Sequence, residues 1–126
     1  MNENSTHLFV TTSETERELC LGPDGSAAHV TRVIRMIQGR WKLPILFRLF
    51  SSSPMRSLQL KRDLPGVSQK MLTQHLRELS HDGLIERIDL GEKPLRVEYQ
   101  LSEMGRRCVP VLMAARQFSV DHPAKP

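Results

Sequence analysis

The side chains best suited to recognition chemistry in this 126-residue chain are Lys70, Thr73, Gln74, Arg77 and His81, which recur at short helical spacings. At about 100° per residue, such spacing gathers them on one face of a helix. Lys, Arg, Gln and Thr are the side chains that read base edges in a DNA major groove. The only carboxylate near that face is Glu78, at its edge. Met71, Leu72, Leu76 and Leu79 fall opposite, with His75 beside them. That stripe is expected to face the core. Amphipathic helices in general carry a polar face, so periodicity alone does not separate groove reading from ordinary solvation.

Nothing comparable points to catalysis. His7, His29, His75, His81 and His122 have no sequence-local partnership with a nucleophile or carboxylate, and no His/Cys cluster has zinc spacing. Cys20 and Cys108 stand far apart, with no Cys-x-x-Cys pair. No enzymatic activity, catalytic residue, metal or cofactor is expected, and each cysteine reads as a thiol rather than half of a disulfide.

The elements that must position the polar face are legible on either side of it. Ser68 is a good N-cap for the helix and Gly83 a good stop. Before it, Ser57 begins a short helix over Leu58 to Leu64, and Pro65-Gly66 turns the chain. Two helices joined by a short glycine-containing turn are the helix-turn-helix pattern. After Gly83 the period changes to two. Leu84–Leu90 and Leu95–Leu101 read as strands around the turn Gly91-Glu-Lys-Pro94. Such a hairpin directly after a recognition-type helix forms a wing with Lys93 and Arg96 near its tip, and arginine is favoured in a minor groove by the negative potential there.

Farther out, Ala27–Gln38 reads as a helix with Val30, Val33, Ile34 and Ile37 in one stripe. A second helix opens at Arg40-Trp41-Lys42-Leu43-Pro44, with Pro44 tolerable in the first turn and Trp41 expected as a core anchor. Ser102 caps a last helix from Glu103 to about Val120, which Pro110 should kink or deprive of a hydrogen bond. Its apolar positions Met104, Cys108, Val111, Leu112, Ala115 and Phe118 exceed what one small domain buries, and a symmetric dimer through both end helices would cover the surplus. Residues 1–26 read as a flexible arm with one helical turn near Glu14–Leu19.

Composition agrees. Charged residues make up 25% of the chain and hydrophobic ones 39%, so a folded soluble domain is expected. No apolar run approaches a membrane span, and cytoplasmic location is the default. The net charge of +4 is uneven: residues 30–107 carry fifteen Lys or Arg against eight Asp or Glu, whereas residues 1–29 are acidic. A basic middle favours a polyanionic partner.

Four ordered motifs then resemble one family. Gly39-Arg-Trp-Lys-Leu, the run Leu64 to Leu79, Asp82-Gly-Leu-Ile-Glu-Arg, and Arg96-Val-Glu-Tyr-Gln-Leu-Ser-Glu-Met-Gly105 are similar to the HxlR-type winged helix-turn-helix regulators. The resemblance implies a bacterial transcription factor, a homodimer on double-stranded DNA with recognition helices in successive major grooves and wings on flanking minor grooves. It implies DNA contacts at Ser68, Gln69, Lys70, Thr73, Gln74 and Arg77, a phosphate contact at Lys42 and a wing contact at Arg96. Family members often carry a sensor cysteine where Ala28 stands here. Cys20 lies upstream of that position and is a possible redox residue, although an inert thiol is favoured. Gln38 also stands where the family usually has glycine, and Ser57-Leu58 reverses its aromatic-Ser order.

The expected architecture is therefore mainly α with a small β-hairpin wing, a winged helix-turn-helix domain with N- and C-terminal dimerisation helices. Residues 1–26 form the arm, 27–120 the domain and 121–126 a tail. The expected function is a sequence-specific regulator, repression being the expected mode. A ligand- or redox-switched sensor and a protein-interaction module are the alternatives.

Overall fold

The computed structural model describes residues 14–126; the first half of the expected arm, residues 1–13, lies outside them. The described chain divides into two units between Gln38 and Gly39. The first holds α1 (Glu14–Leu21) and α2 (Ser26–Ile37). α1 is longer than the single turn expected. Gly22 N–H closes it onto the Glu18 carbonyl at 2.9 Å. α2 follows the expected stripe, yet none of its residues is buried: Val33 and Ile37 are half-buried, and Val30 and Ile34 are exposed.

The second unit runs α3 (Lys42–Ser51), α4 (Ser57–Asp63), α5 (Gln69–His81), β1 (Ile85–Glu92), β2 (Leu95–Leu101) and α6 (Glu103–Asp121). α3 starts at Lys42, which puts Pro44 in its first turn, where the missing N–H would have had no helical partner. Trp41 precedes α3 as its N-cap and is half-buried rather than a core anchor, with the Arg40 guanidinium 5.1 Å from its ring centroid. α4 is tied to α3 by Arg48, whose Nε and Nη2 donate to Asp63 Oδ2 at 3.1 and 2.8 Å.

α5 has the ends its sequence promises. The Ser68 hydroxyl accepts from Met71 N–H at 3.0 Å. At the other end Gly83 has φ +86°, its N–H donates to the Ser80 carbonyl, and Leu84 N–H donates to that of Leu79. This crossed pair closes the helix only because the residue after the cap takes a left-handed conformation, which favours glycine.

β1 and β2 pair antiparallel from Ile85↔Leu101 to Glu92↔Leu95, with a register shift between Asp89 and Gly91. The shift bulges Leu90 and carries β1 through Glu92, past the expected end at Leu90. Met55 exchanges backbone hydrogen bonds of 2.9 and 2.7 Å with Tyr99 on the other edge of β2. The loop after α3 therefore covers an edge that would otherwise be open. α6 is one helix despite Pro110, capped by Ser102, whose hydroxyl accepts from Gly105 N–H at 2.9 Å.

The core of this unit gathers Ile45, Leu46 and Leu49 from α3, Leu60 from α4, Leu72, Leu76 and Leu79 from α5, Ile85 and Leu101 from the hairpin, and Val109 and Leu112 from α6. Every strand and helix after Gln38 thus contributes to one apolar centre. Truncating a fully buried leucine such as Leu72 to alanine costs about 2–5 kcal/mol. Met71, assigned to the apolar face by periodicity, is 37% exposed. Beyond Leu112 the apolar residues of α6 lie on the surface, with Phe118 68% exposed. Among the described residues, no helix is long and apolar enough to cross a membrane.

Candidate nucleic-acid interface

Burying Leu72, His75, Leu76 and Leu79 fixes the rotation of α5, and that rotation decides what the helix presents outward. Ser68, Gln69, Lys70, Thr73, Gln74 and Arg77 are all exposed. They include the whole helical set expected from sequence, together on one solvent face. Gln69 Nε2 donates to Thr73 Oγ1 at 3.1 Å, which links two of these side chains along the helix. Arg96 is exposed on β2 opposite Gly91, in the tip half of the hairpin.

Lys42 differs from the rest. It is 7% exposed, and its Nζ lies 3.1 Å from Glu78 Oε1. The ammonium expected to meet a phosphate is committed inside the fold, linking the first residue of α3 to α5. The same carboxylate oxygen is 3.3 Å from His75 Nδ1, while Glu78 Oε2 accepts from Gln74 Nε2 at 3.3 Å. The Lys42 ammonium, followed by the Gln74 amide and then His75, holds the Glu78 carboxyl below its ordinary range. The cluster is a structural tie that touches one of the outward-facing amides.

Sequence periodicity missed two other groups. A cleft of about 210 Å³ runs between α5 and the sheet, lined by Thr73, Leu76, Arg77, Ser80, Arg87 and Tyr99. It adds Arg87 to the cations near the helix face, held by Asp89 Oδ1 at 3.1 Å. Arg56, Lys61 and Arg62 are exposed at and around α4, the first helix of the helix-turn-helix pair, a position that crosses the backbone in such motifs. The excess of Lys and Arg in residues 30–107 was the available signal for these residues. It gave a sum and no positions.

The thiols are unlike the polar face. Cys20 and Cys108 are half-buried, and burial pushes the Cys108 thiol up. Cys108 is thereby kept protonated and poorly nucleophilic. Among the described residues, no group of three or more His, Cys, Asp or Glu side chains is arranged to hold a metal ion.

Known proteins resemble this chain in sequence and in fold. The profile of the HxlR-like helix-turn-helix family matches residues 36–124. The HTH-type transcriptional regulator YdzF of Bacillus subtilis (strain 168) is 43% identical over 79 residues, covering 63% of this chain and 72% of that protein. YtcD of the same organism, also named an HTH-type transcriptional regulator, is 42% identical over 93 residues, covering 74% of this chain and 73% of YtcD. The crystal structure of ytcD superposes with a TM-score of 0.69 over 74% of this chain and 94% of that one. The redox regulator HypR in its reduced form superposes with a TM-score of 0.68 at 30% identity, over 74% of this chain and 91% of HypR.

Proposed function

Because this chain belongs to the HxlR-like helix-turn-helix family and is a transcriptional regulator with a helix-turn-helix domain, we propose that it represses transcription as a homodimer on a specific double-stranded DNA site. The regulator domain is assigned to residues 27–120, with 1–26 as an arm and 121–126 as a tail. The observation that carries this proposal is the outer face of α5, where five groove-type side chains from Gln69 to Arg77 stand exposed together.

In this mechanism α5 enters the major groove. Lys70, Gln74 and Arg77 meet base edges, while Gln69 and Thr73 support them from the same face. Ser68 sits at the N-terminal end, where a recognition helix approaches DNA most closely. Arg96 reaches the flanking minor groove from the wing. Phosphate contacts that set affinity and register come from the exposed cations of α4 and from Arg87 in the cleft. Lys42 acts inside the fold rather than on a phosphate. Dimerisation uses the exposed apolar residues of α2 and α6, matching two recognition helices to two half-sites. A cytoplasmic, nucleoid-associated location follows from such a partner.

Fluorescence anisotropy of the full chain on DNA flanking its own gene, with scrambled DNA as control and salt raised to physiological strength, tests the proposal. Selective binding that weakens steeply with salt is expected. Equal binding to both DNAs, with little salt dependence, would instead favour a protein-interaction module.

A redox-switched regulator is the second reading. It is favoured by the similarity to HypR, a redox regulator solved in reduced and oxidised forms. Cys20 is then the candidate, since Cys108 is disfavoured by its burial. Repeating the titration with and without a thiol oxidant, on the wild type and on Cys20→Ser, separates the two readings. No effector other than an oxidant is assigned.

A further inference from the structure

Gln74 is one of the groove-facing side chains, and among them it alone is tied to the cluster of Lys42, His75 and Glu78. A carboxylate can only accept hydrogen bonds, whereas a primary amide donates from nitrogen and accepts at oxygen. With Glu78 Oε2 3.3 Å from Gln74 Nε2, the amide nitrogen must face the carboxylate. The carbonyl oxygen and the second N–H are left for whatever approaches from solvent.

The carboxylate itself is held from the other side. Lys42 Nζ at 3.1 Å and His75 Nδ1 at 3.3 Å both meet Glu78 Oε1. Those side chains are 8% exposed in each case, so the clamp is anchored in the interior. Gly39 permits the arrangement: a Cβ there would lie 3.2 Å from Lys42 Cδ and 3.3 Å from His75 Cε1, with φ at +144°. The depressed Glu78 carboxyl stays ionised at neutral pH and therefore stays an acceptor.

Building on the proposed DNA reading, we propose that Glu78 is a positioning residue that fixes the orientation of the Gln74 amide. The amide oxygen is offered to a base donor, and the second N–H to a neighbouring acceptor. In the major groove that pattern matches adenine, which presents N6–H₂ beside N7. It repels guanine, whose O6 and N7 are both acceptors. Lys42 is thus a specificity residue at one remove: it touches no DNA but holds the group that holds the reader.

Glu78→Gln tests this with nearly unchanged shape. The Lys42 ammonium can only donate, so it keeps the oxygen of the new amide on its side. The new NH2 then faces Gln74, whose amide turns over to present its N–H groups outward, and guanine is tolerated. The experiment selects binding duplexes from a randomised DNA pool with wild type, Glu78→Gln and Gln74→Ala, then measures base preference position by position. Wild type is expected to discriminate adenine from guanine about 10-fold at one base pair. Gln74→Ala loses that preference. Glu78→Gln reduces it to about 2-fold at the same base pair only, with affinity for scrambled DNA not reduced, since a negative charge beside the helix face is lost. The paired variant Lys42→Met/Glu78→Gln removes the buried charge together with its partner, so it remains informative if Glu78→Gln alone unfolds.

If Glu78→Gln keeps the full preference, or loses preference evenly at all positions, the positioning role is wrong while the DNA reading stands. A wild type that selects no sequence at all overturns the DNA reading and this inference with it.

Discussion

Gly105 in α6 lies against the backbone of Leu84, where the chain leaves α5 for β1. A Cβ built on Gly105 would stand 2.0 Å from the Leu84 carbonyl oxygen. Beside this contact, Ser102 Oγ donates to the Gly83 carbonyl and Ser102 N–H donates to that of Leu84 at 3.1 Å. The end of α5, the start of β1 and the start of α6 therefore meet at one crowded point.

Gly105→Ala is accordingly expected to destabilise the chain by about 1–3 kcal/mol, the range for forcing atoms into a packed site. The obstacle is backbone, which cannot rotate away, so the upper half of that range is expected. Urea unfolding followed by circular dichroism measures it. A midpoint equal to wild type would mean that α6 can shift off the sheet without cost.

Arg77 and Lys61 provide a paired test of what reads bases and what only attracts DNA. Arg77→Ala should cost about 1–3 kcal/mol on the selected site and little on scrambled DNA, if its guanidinium is bidentate to a guanine. Lys61→Ala should weaken binding to both DNAs alike and reduce the salt slope by about one. Anisotropy titrations at several salt concentrations separate the two patterns. Uniform weakening by Arg77→Ala would assign it to phosphate instead.

Much of this was legible because it is local. Ser68, Gly83 and Ser102 announce helix ends through bonds to residues within a few positions, and the apolar period of α5 fixes its outward face. The rest depends on partners distant in sequence. Lys42 at a helix start looks like a surface cation until Glu78 arrives from α5, and no local pattern at Met55 foretells its pairing with Tyr99. Leu90 read as the end of a strand because a bulge interrupts alternation without ending the ladder. The cleft holding Arg87 exists only once the hairpin packs against α5.

The Glu78 cluster should show in the acid stability of the fold. Its carboxyl is lowered from an ordinary value of 4.5, chiefly by the Lys42 ammonium. A depressed carboxyl stabilises the fold above its unfolded value, and that stabilisation is lost as pH falls through the lower folded value. Wild type should therefore exceed Glu78→Gln in stability at neutral pH, with the difference shrinking below about pH 4.5. Glu78 is 41% exposed, so solvent screening limits the change to about 1 kcal/mol or less. Urea midpoints of both proteins across that range would decide, and a difference constant with pH would show that the charge of Glu78 contributes nothing.

Phe118 gives the sharpest test of the proposed dimer. It is 68% exposed and stacks on His122 at 4.8 Å between ring centroids, near Val111 and Val120 in sequence, which are also exposed. An aromatic left on a helix surface contributes little to the monomer, so Phe118→Glu should leave its circular dichroism and urea midpoint unchanged. Covering it in a symmetric interface counts twice, because each copy contributes the same side chain. Burial of a phenylalanine is worth about 1.5–3 kcal/mol, so charging both copies should weaken self-association on the order of 100-fold or more. Sedimentation velocity over a concentration series measures this directly. The loss should also reach DNA: a duplex with two half-sites should lose more affinity than one with a single half-site, since only the former rewards linked recognition helices. Wild-type sedimentation as a monomer at every concentration would remove the dimer. A dimer indifferent to Phe118→Glu would move the interface off the end of α6.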